Sequence, residues 1–113
     1  MAVTSPQKRK GSTAERHVAD YLASRGVPCE RIPAGATNDR GDLWVPVIEF
    51  PTIDVKNHQT VRLAEWVDRA AEQAHNAGRY AGVVIHKRPR TTDVGRWYVT
   101  TSVDMFLQLI GKP

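Results

Sequence analysis

Asp42 and Asp54, with Lys56 two residues further on, are the side chains whose types and spacing suit a defined chemistry. A hard divalent cation such as magnesium prefers oxygen ligands in octahedral geometry, keeps several waters, and is commonly held by one or two carboxylates together with substrate phosphate. Asp42 and Asp54 supply such carboxylates, the main-chain carbonyl of Val55 offers a third oxygen, and Glu15 can join directly or through water. A lysine beside that ion would orient the attacking water or offset charge building on a phosphate, which amounts to metal-assisted hydrolysis of a phosphodiester. The same residues also suit plainer roles. An aspartate ahead of an apolar strand is commonly a turn residue, and Asp-x-Lys at a strand end is commonly a solvated ion pair.

For the three side chains to meet, the stretch 41–57, GDLWVPVIEFPTIDVKN, must form a hairpin. Strands over 43–47 and 48–55 place Asp42 at the start of one and Asp54 with Lys56 at the end of the other. Residues two apart share a face, so Asp54 and Lys56 project together while Val55 points into a core.

The remaining elements follow from periodicity and breakers. A first helix is expected over 12–25, with Val18, Tyr21, Leu22 and Arg25 on one stripe and Gly26 and Pro28 ending it. Ser12 and Glu15 have capping-box spacing, a structural role for Glu15. A short strand at 29–32 leads into a loop over 33–41 that contains Ala34, Gly35, Asn38 and Asp39. A second helix over 61–77 places Leu63, Trp66, Val67, Ala70 and Ala74 on one stripe, pairs Glu65 with Arg69 across one turn, and ends at Gly78. Strands at 80–86 and 96–100 flank a basic turn. A last helix, capped by Thr101 or Ser102 and running to 110, turns Val103, Phe106, Leu107 and Ile110 to the core. This order gives an α/β domain with a central mixed sheet flanked by helices, the strand–helix–strand step being a crossover onto the same sheet.

With 113 residues, one core is the expectation: a loose basic arm over 1–11 and a folded domain over 12–113. No apolar run approaches the ~20 residues of a membrane span, and no apolar segment follows the basic N-terminal residues, so an intracellular, cytoplasmic location is expected, in the host cytoplasm for a phage-encoded chain. Cys29 is the single cysteine, which excludes an internal disulfide and a paired-cysteine zinc site. Sixteen Lys and Arg against twelve Asp and Glu leave a net charge of +4. If some of the acids hold metal, the remaining surface is more basic than that sum and favours a polyanionic partner, with Lys8, Arg9 and Lys10 as phosphate contacts. His17, His58, His75 and His86 lack metal-ligand spacing and read as structural or surface residues, His58 being closest to the candidate lysine. Cys29 reads as a buried small residue, and no nucleotide-binding glycine fingerprint is present.

Set in order, Lys10-Gly11, Ala14-Glu15-Arg16, Gly26, Arg31, Ala34-Gly35, Gly41-Asp42-Leu43, Ile53-Asp54-Val55-Lys56, Lys87 and Trp97-Tyr98-Val99 resemble the PD-(D/E)XK nuclease superfamily. Within it, the chain is most similar to the archaeal-type and phage Holliday junction resolvases. That resemblance implies a restriction-endonuclease-like core and a magnesium-dependent endodeoxyribonuclease, with manganese as a substitute metal. It makes Glu15, Asp42 and Asp54 the acidic metal-site residues, Lys56 the catalytic lysine, and Arg16, Arg31 and Lys87 basic positions that grip DNA or complete the site. It further implies a homodimer acting on branched DNA, the four-way junction, where two-fold symmetry presents two equivalent phosphates to two identical sites. Trp66 and Phe50 are then interface candidates, with core packing as their other role. The triplet opens with Asp54 where glutamate is commoner, and Gly41 stands where proline is usual.

Other readings stay open. The chain also suits a restriction-like enzyme, a flap or end-directed exonuclease, or a non-catalytic DNA-binding protein on the same fold. RecB-like exonucleases carry Gln-x-x-x-Tyr after the lysine, whereas Gln73 and Tyr80 are seven apart.

Overall fold

A computed structural model describes residues 6–33, 38–47 and 49–112. The expectations for residues 1–5, for Ala34 and Gly35 and for Ile48 fall outside that set, while the strands expected over 43–47 and 48–55 are shorter than that, covering Leu43–Trp44 and Thr52–Lys56 with Glu49 and Phe50 in a turn. The chain builds α1 (Pro6–Ser24), β1 (Glu30–Arg31), β2 (Leu43–Trp44), β3 (Thr52–Lys56), α2 (Leu63–Ala77), β4 (Gly82–His86), β5 (Tyr98–Thr100) and α3 (Val103–Leu109), with a 3-10 turn at Val94–Arg96 before β5. It is an α/β domain with a five-stranded mixed sheet in the order β1-β2-β3-β4-β5. β3 and β4 are parallel and joined by the α2 crossover, while the other neighbouring pairs are antiparallel. Among the described residues, no helix is long and apolar enough to cross a membrane.

The central strands are covered on both faces. Ala14 and Val18 of α1 pack with Leu43, Val45, Ile53, Val55, Val83, Ile85 and Trp97 in the larger core. Trp66 and Ala70 of α2 pack against Val84 from the other side. Thr52 to Val55 are therefore all buried, and Asp54 is 3% exposed, because alternation on β3 sends Ile53 and Val55 toward α1 and Thr52 and Asp54 toward α2. At Gly82 the α2 backbone packs tightly on β4: an added Cβ would lie 2.2 Å from the Ala70 carbonyl oxygen and 2.6 Å from Thr52 Oγ1.

Three further expectations are corrected. α1 begins at Pro6 and not at Ser12, so Lys8, Arg9 and Lys10 lie in its first two turns. Proline's fixed φ and missing N–H suit a first helical turn, and one interior glycine, Gly11, costs only ~1 kcal/mol. Ser12 and Glu15 accordingly form no capping box; both accept hydrogen bonds from Arg31 Nη2, at 2.6 and 3.0 Å. Glu65 and Arg69 do not pair: Glu65 faces Arg62 at 3.7 Å, and Arg69 reaches Asp39 at 2.8 Å, a tertiary partner invisible to helical spacing. The third correction concerns α3, which buries Met105 and leaves Val103 75%, Phe106 51% and Ile110 53% exposed. Ser102 caps it as expected, accepting from the Met105 N–H. Gly78 likewise ends α2 with φ 66°, where its N–H bonds the His75 carbonyl.

Arg79 fastens the connection between β2 and β3. Its guanidinium donates to the carbonyls of Val45 and Phe50, each at 3.0 Å, and of Val47, and lies over the Trp44 ring at 3.9 Å from the centroid. Arg79→Ala leaves three carbonyls without this donor and is expected to lower stability by about 2–3 kcal/mol, measured by urea unfolding. Arg79→Lys, lacking the planar fork, should recover less than half of that loss.

Candidate active site

Asp42, Asp54 and Lys56 converge at one end of β2 and β3. The turn before Asp42 is set by Gly41, whose φ is 93° and whose Cβ, if present, would meet the Ile53 carbonyl oxygen at 2.8 Å. Asp42 N–H then donates to that same carbonyl at 2.8 Å, which fixes its backbone against β3. The side chain crosses to the neighbouring strand, where Asp42 Oδ2 accepts from the Val55 N–H at 2.7 Å. Thr52 N–H and the Lys56 carbonyl bond toward β4, so the intervening Ile53 and Val55 direct their N–H and C=O groups toward β2. The Val55 carbonyl is therefore presented on the side where Asp42 lies.

Asp54 Oδ2 faces Lys56 Nζ at 3.2 Å, the pairing expected of residues two apart on one strand face. No hydrogen bond is aimed at this buried oxygen among the described residues. Asp54 Oδ1 accepts from Gln73 Nε2 of α2 at 3.3 Å. The same amide nitrogen lies 3.2 and 3.1 Å from the two carboxylate oxygens of Asp39, so Gln73 bridges Asp39 and Asp54. Gln73 is 1% exposed, and its Oε1 has no partner among the described residues.

Electrostatics separates these acids. The Asp42 carboxyl is pushed up to about 8, first by burial and then by the charge and proximity of Asp54, against the Val55 N–H, which favours the charged form; Glu15 adds a smaller push in the same direction. Burial also acts on Asp39, but hydrogen bonds from Gln73 and the Gly41 N–H, with the charges of Arg69 and Lys56, outweigh it and hold that carboxyl below its ordinary value. Two crowded carboxylates, one of them protonated near neutrality and the other with an oxygen that faces only the Lys56 ammonium among the described residues, make a site that fits a cation. Its protein ligands would be Asp42, Asp54 and the Val55 carbonyl, with water or phosphate completing the shell. Among the described residues no group of three or more His, Cys, Asp or Glu side chains is arranged for a metal.

The cleft encloses about 390 Å³ and is also lined by His58, Arg62, Arg69 and Gln73. Glu15 lies in a neighbouring cavity of about 670 Å³ with Lys8 and Arg31, and Asp42, Lys56 and His58 line it too. Arg31 holds Glu15 in an ion pair at 3.0 Å. Lys10 and Lys87 border a third cavity, while Arg9 and Arg16 are exposed on α1. His75 is exposed, and His17 lines a separate hollow beside Tyr21 and Asp93. Cys29 is half-buried, with its thiol pushed up first by burial and then by Asp20.

A family model described as "Phage putative PDDEXK endonuclease" matches residues 6–112. The chain belongs to this endonuclease family. A search of curated proteins gave no match, and a search of solved structures gave none.

In a PDDEXK endonuclease of this sequence, the residues that sequence reasoning missed are Gln73, Asp39 and Arg69. Gln73 carried a signal: it falls seven residues after Trp66 and three after Ala70, on the apolar stripe of α2, where an amide requires a buried partner. It enters the PDDEXK site without a tyrosine four residues later. Asp39 left no comparable trace, because its local bond to the Gly41 N–H at 3.1 Å is what any turn aspartate makes.

Proposed function

We propose that this endonuclease-family chain is a divalent-metal-dependent structure-selective endodeoxyribonuclease that nicks branched DNA, acting as a homodimer on the four-way junction. The observation that carries the reading is the meeting of Asp42, Asp54 and Lys56 in one cleft, with the Asp42 carboxyl pushed up to about 8 by burial and then by Asp54. Magnesium or manganese, held by Asp42, Asp54 and the Val55 carbonyl, would supply Lewis-acid activation of the phosphodiester and its attacking water. Lys56 orients that water and offsets charge on the phosphoryl oxygens from its place beside Asp54. Gln73 and Arg69 position the acids. Glu15 contributes through water, since Arg31 already engages its carboxylate. Lys8, Arg9, Lys10, Arg16, Arg31 and Lys87 supply the phosphate contacts, which would make binding fall steeply with salt.

Trp66 is 5% exposed and Phe50 packs against the core, so neither is offered for the dimer. The exposed apolar side chains of β5 and α3, Val99, Val103, Phe106 and Ile110, support a dimer contact there instead.

A labelled four-way junction incubated with magnesium tests the reading against a linear duplex, a flap and a free-ended strand of the same sequence. Paired symmetric nicks in the junction are expected, with calcium supporting binding but no cutting. Uniform cutting of all substrates, or trimming from the free end, would replace the junction assignment. The free-ended substrate is included because Gln73 meets Asp54, the amide half of the exonuclease signature.

Gln73→Leu removes the bridge while keeping the volume close. It is expected to weaken magnesium binding by roughly 10- to 100-fold, the usual cost of losing a group that orients a ligand. Calorimetric titration with magnesium chloride reads this directly.

A further inference from the structure

Four rings run in a row beside the active site. His58 and Trp66 have centroids 5.7 Å apart, Trp66 and His86 5.5 Å, and His86 and Tyr98 5.2 Å, with interplanar angles of 56–60°. Trp66 and His86 are buried, and His86 Nε2 is locked on Thr100 Oγ1 at 2.8 Å. Core packing accounts for these two middle rings. It does not account for the ends, where His58 is exposed and Tyr98 is 44% exposed, each resting on a buried ring.

Between those ends lies a cavity of about 460 Å³, lined by His58, Tyr98, Pro89, Asn57, Lys10 and Lys87. It adjoins the catalytic cleft in two ways. His58 lines both, and Lys56 is the register partner of His86 across the β3–β4 pair, one strand spacing away. Its walls combine exposed π faces, two lysines and a side-chain amide. Aromatic faces stack on any base, lysines take the flanking phosphates, and an amide can donate to or accept from a base edge. A base still paired within a duplex presents its edges and not its face, so it cannot enter such a pocket.

We propose that this pocket receives the base of an unpaired nucleotide next to the scissile phosphate, stacked on Tyr98 and His58, so that the enzyme selects DNA with an extruded or unpaired nucleotide at the cut. This rests on the nuclease reading of the adjoining cleft. Tyr98 is the stacking surface, Lys10 and Lys87 hold the backbone on either side, and Asn57 reads the base edge.

The test uses the full chain with two oligonucleotide substrates that differ only in whether one 2-aminopurine is unpaired or paired, titrated in calcium and then cut in magnesium. Binding of the unpaired probe should change its fluorescence through stacking. Tyr98→Ala should weaken that binding by roughly fivefold or more and abolish the fluorescence change, while the paired duplex shifts by less than about twofold. Tyr98→Phe, which keeps the ring, should match the parent protein, and circular dichroism verifies that both variants fold. Equal effects of Tyr98→Ala on both substrates, or no effect on either, would overturn the pocket. Cutting in magnesium without a stacking signal overturns the pocket and leaves the nuclease. A stacking signal without cutting supports the pocket and overturns the nuclease.

Discussion

Asp42→Asn is expected to abolish magnesium-dependent cutting and, at the same time, to make the metal-free protein more stable above neutral pH. Loss of a group that merely orients a metal ligand costs 10- to 100-fold, so loss of a carboxylate ligand should cost at least on the order of a hundredfold in rate. The stability effect has the opposite sign. Asp42 is partly buried beside Asp54 and its carboxyl sits at about 8 in the folded chain against 3.8 ordinarily. The folded state therefore holds the proton more tightly, and the associated stability is fully present below about pH 4 and lost as pH rises through about 8. Each tenfold gain in proton affinity is worth about 1.4 kcal/mol, and relaxation with water penetration reduces the total, so a few kcal/mol are at stake.

Asparagine is isosteric, does not titrate, and keeps an oxygen for the Val55 N–H. Parent protein melted without metal at pH 6.5 and pH 8.5 should lose roughly 5–10 °C over that interval, and Asp42→Asn much less. Asp39, held low, would lose its contribution only in acid, and His86, lowered by burial, contributes equally to parent and variant, so its effect near pH 6.5 cancels in the comparison. Magnesium added at pH 8.5 should restore the parent and leave the variant unmoved, since binding to the folded state alone stabilises it. Equal pH slopes for the two proteins would refute the placement of the proton on Asp42.

Gly82→Ala should be among the most destabilising single methyl additions in the chain. The new carbon would stand 2.2 Å from a main-chain oxygen of α2 and 2.6 Å from Thr52 Oγ1, and the first of these can yield only if the helix moves. Overpacking a core typically costs 1–3 kcal/mol, and a backbone that must shift puts this case at or above about 3 kcal/mol. Because α2 carries Gln73 and Trp66, the same shift should loosen the site. Gly78→Ala is the matched comparison: with φ 66° and nothing within 4 Å, it bears only the conformational cost of about 1 kcal/mol. Urea unfolding of both variants separates close approach from backbone strain.

The parts of the fold visible in the sequence were those governed by local rules. Alternation put Asp54 and Lys56 on one face, a Gly-Asp turn delivered Asp42 to the adjacent strand, and Gly78 and Ser102 ended and started helices where their conformations require. What escaped was tertiary. Arg69 had a plausible partner in Glu65 one turn away and took Asp39 instead, because a loop carboxylate in a partly buried site gains more from a cation than an exposed helical pair does. The apolar positions of α3 implied a buried face, yet a short helix beside an edge strand has little to bury them against. Gln73 was legible only as an anomaly in an apolar stripe, and its meaning depended on Asp39 and Asp54 being opposite.

β2 is joined to β3 by a single register pair, Leu43 with Ile53, whereas β3 and β4 share five. The two carboxylates of the site stand on either side of that thin seam. A seam so lightly laddered can part at a fraction of the free energy of global unfolding while the parallel centre stays closed. The amides of Asp42 and Val55 would then exchange with solvent through local opening, and a bound cation, by tying the two strands together, would slow both.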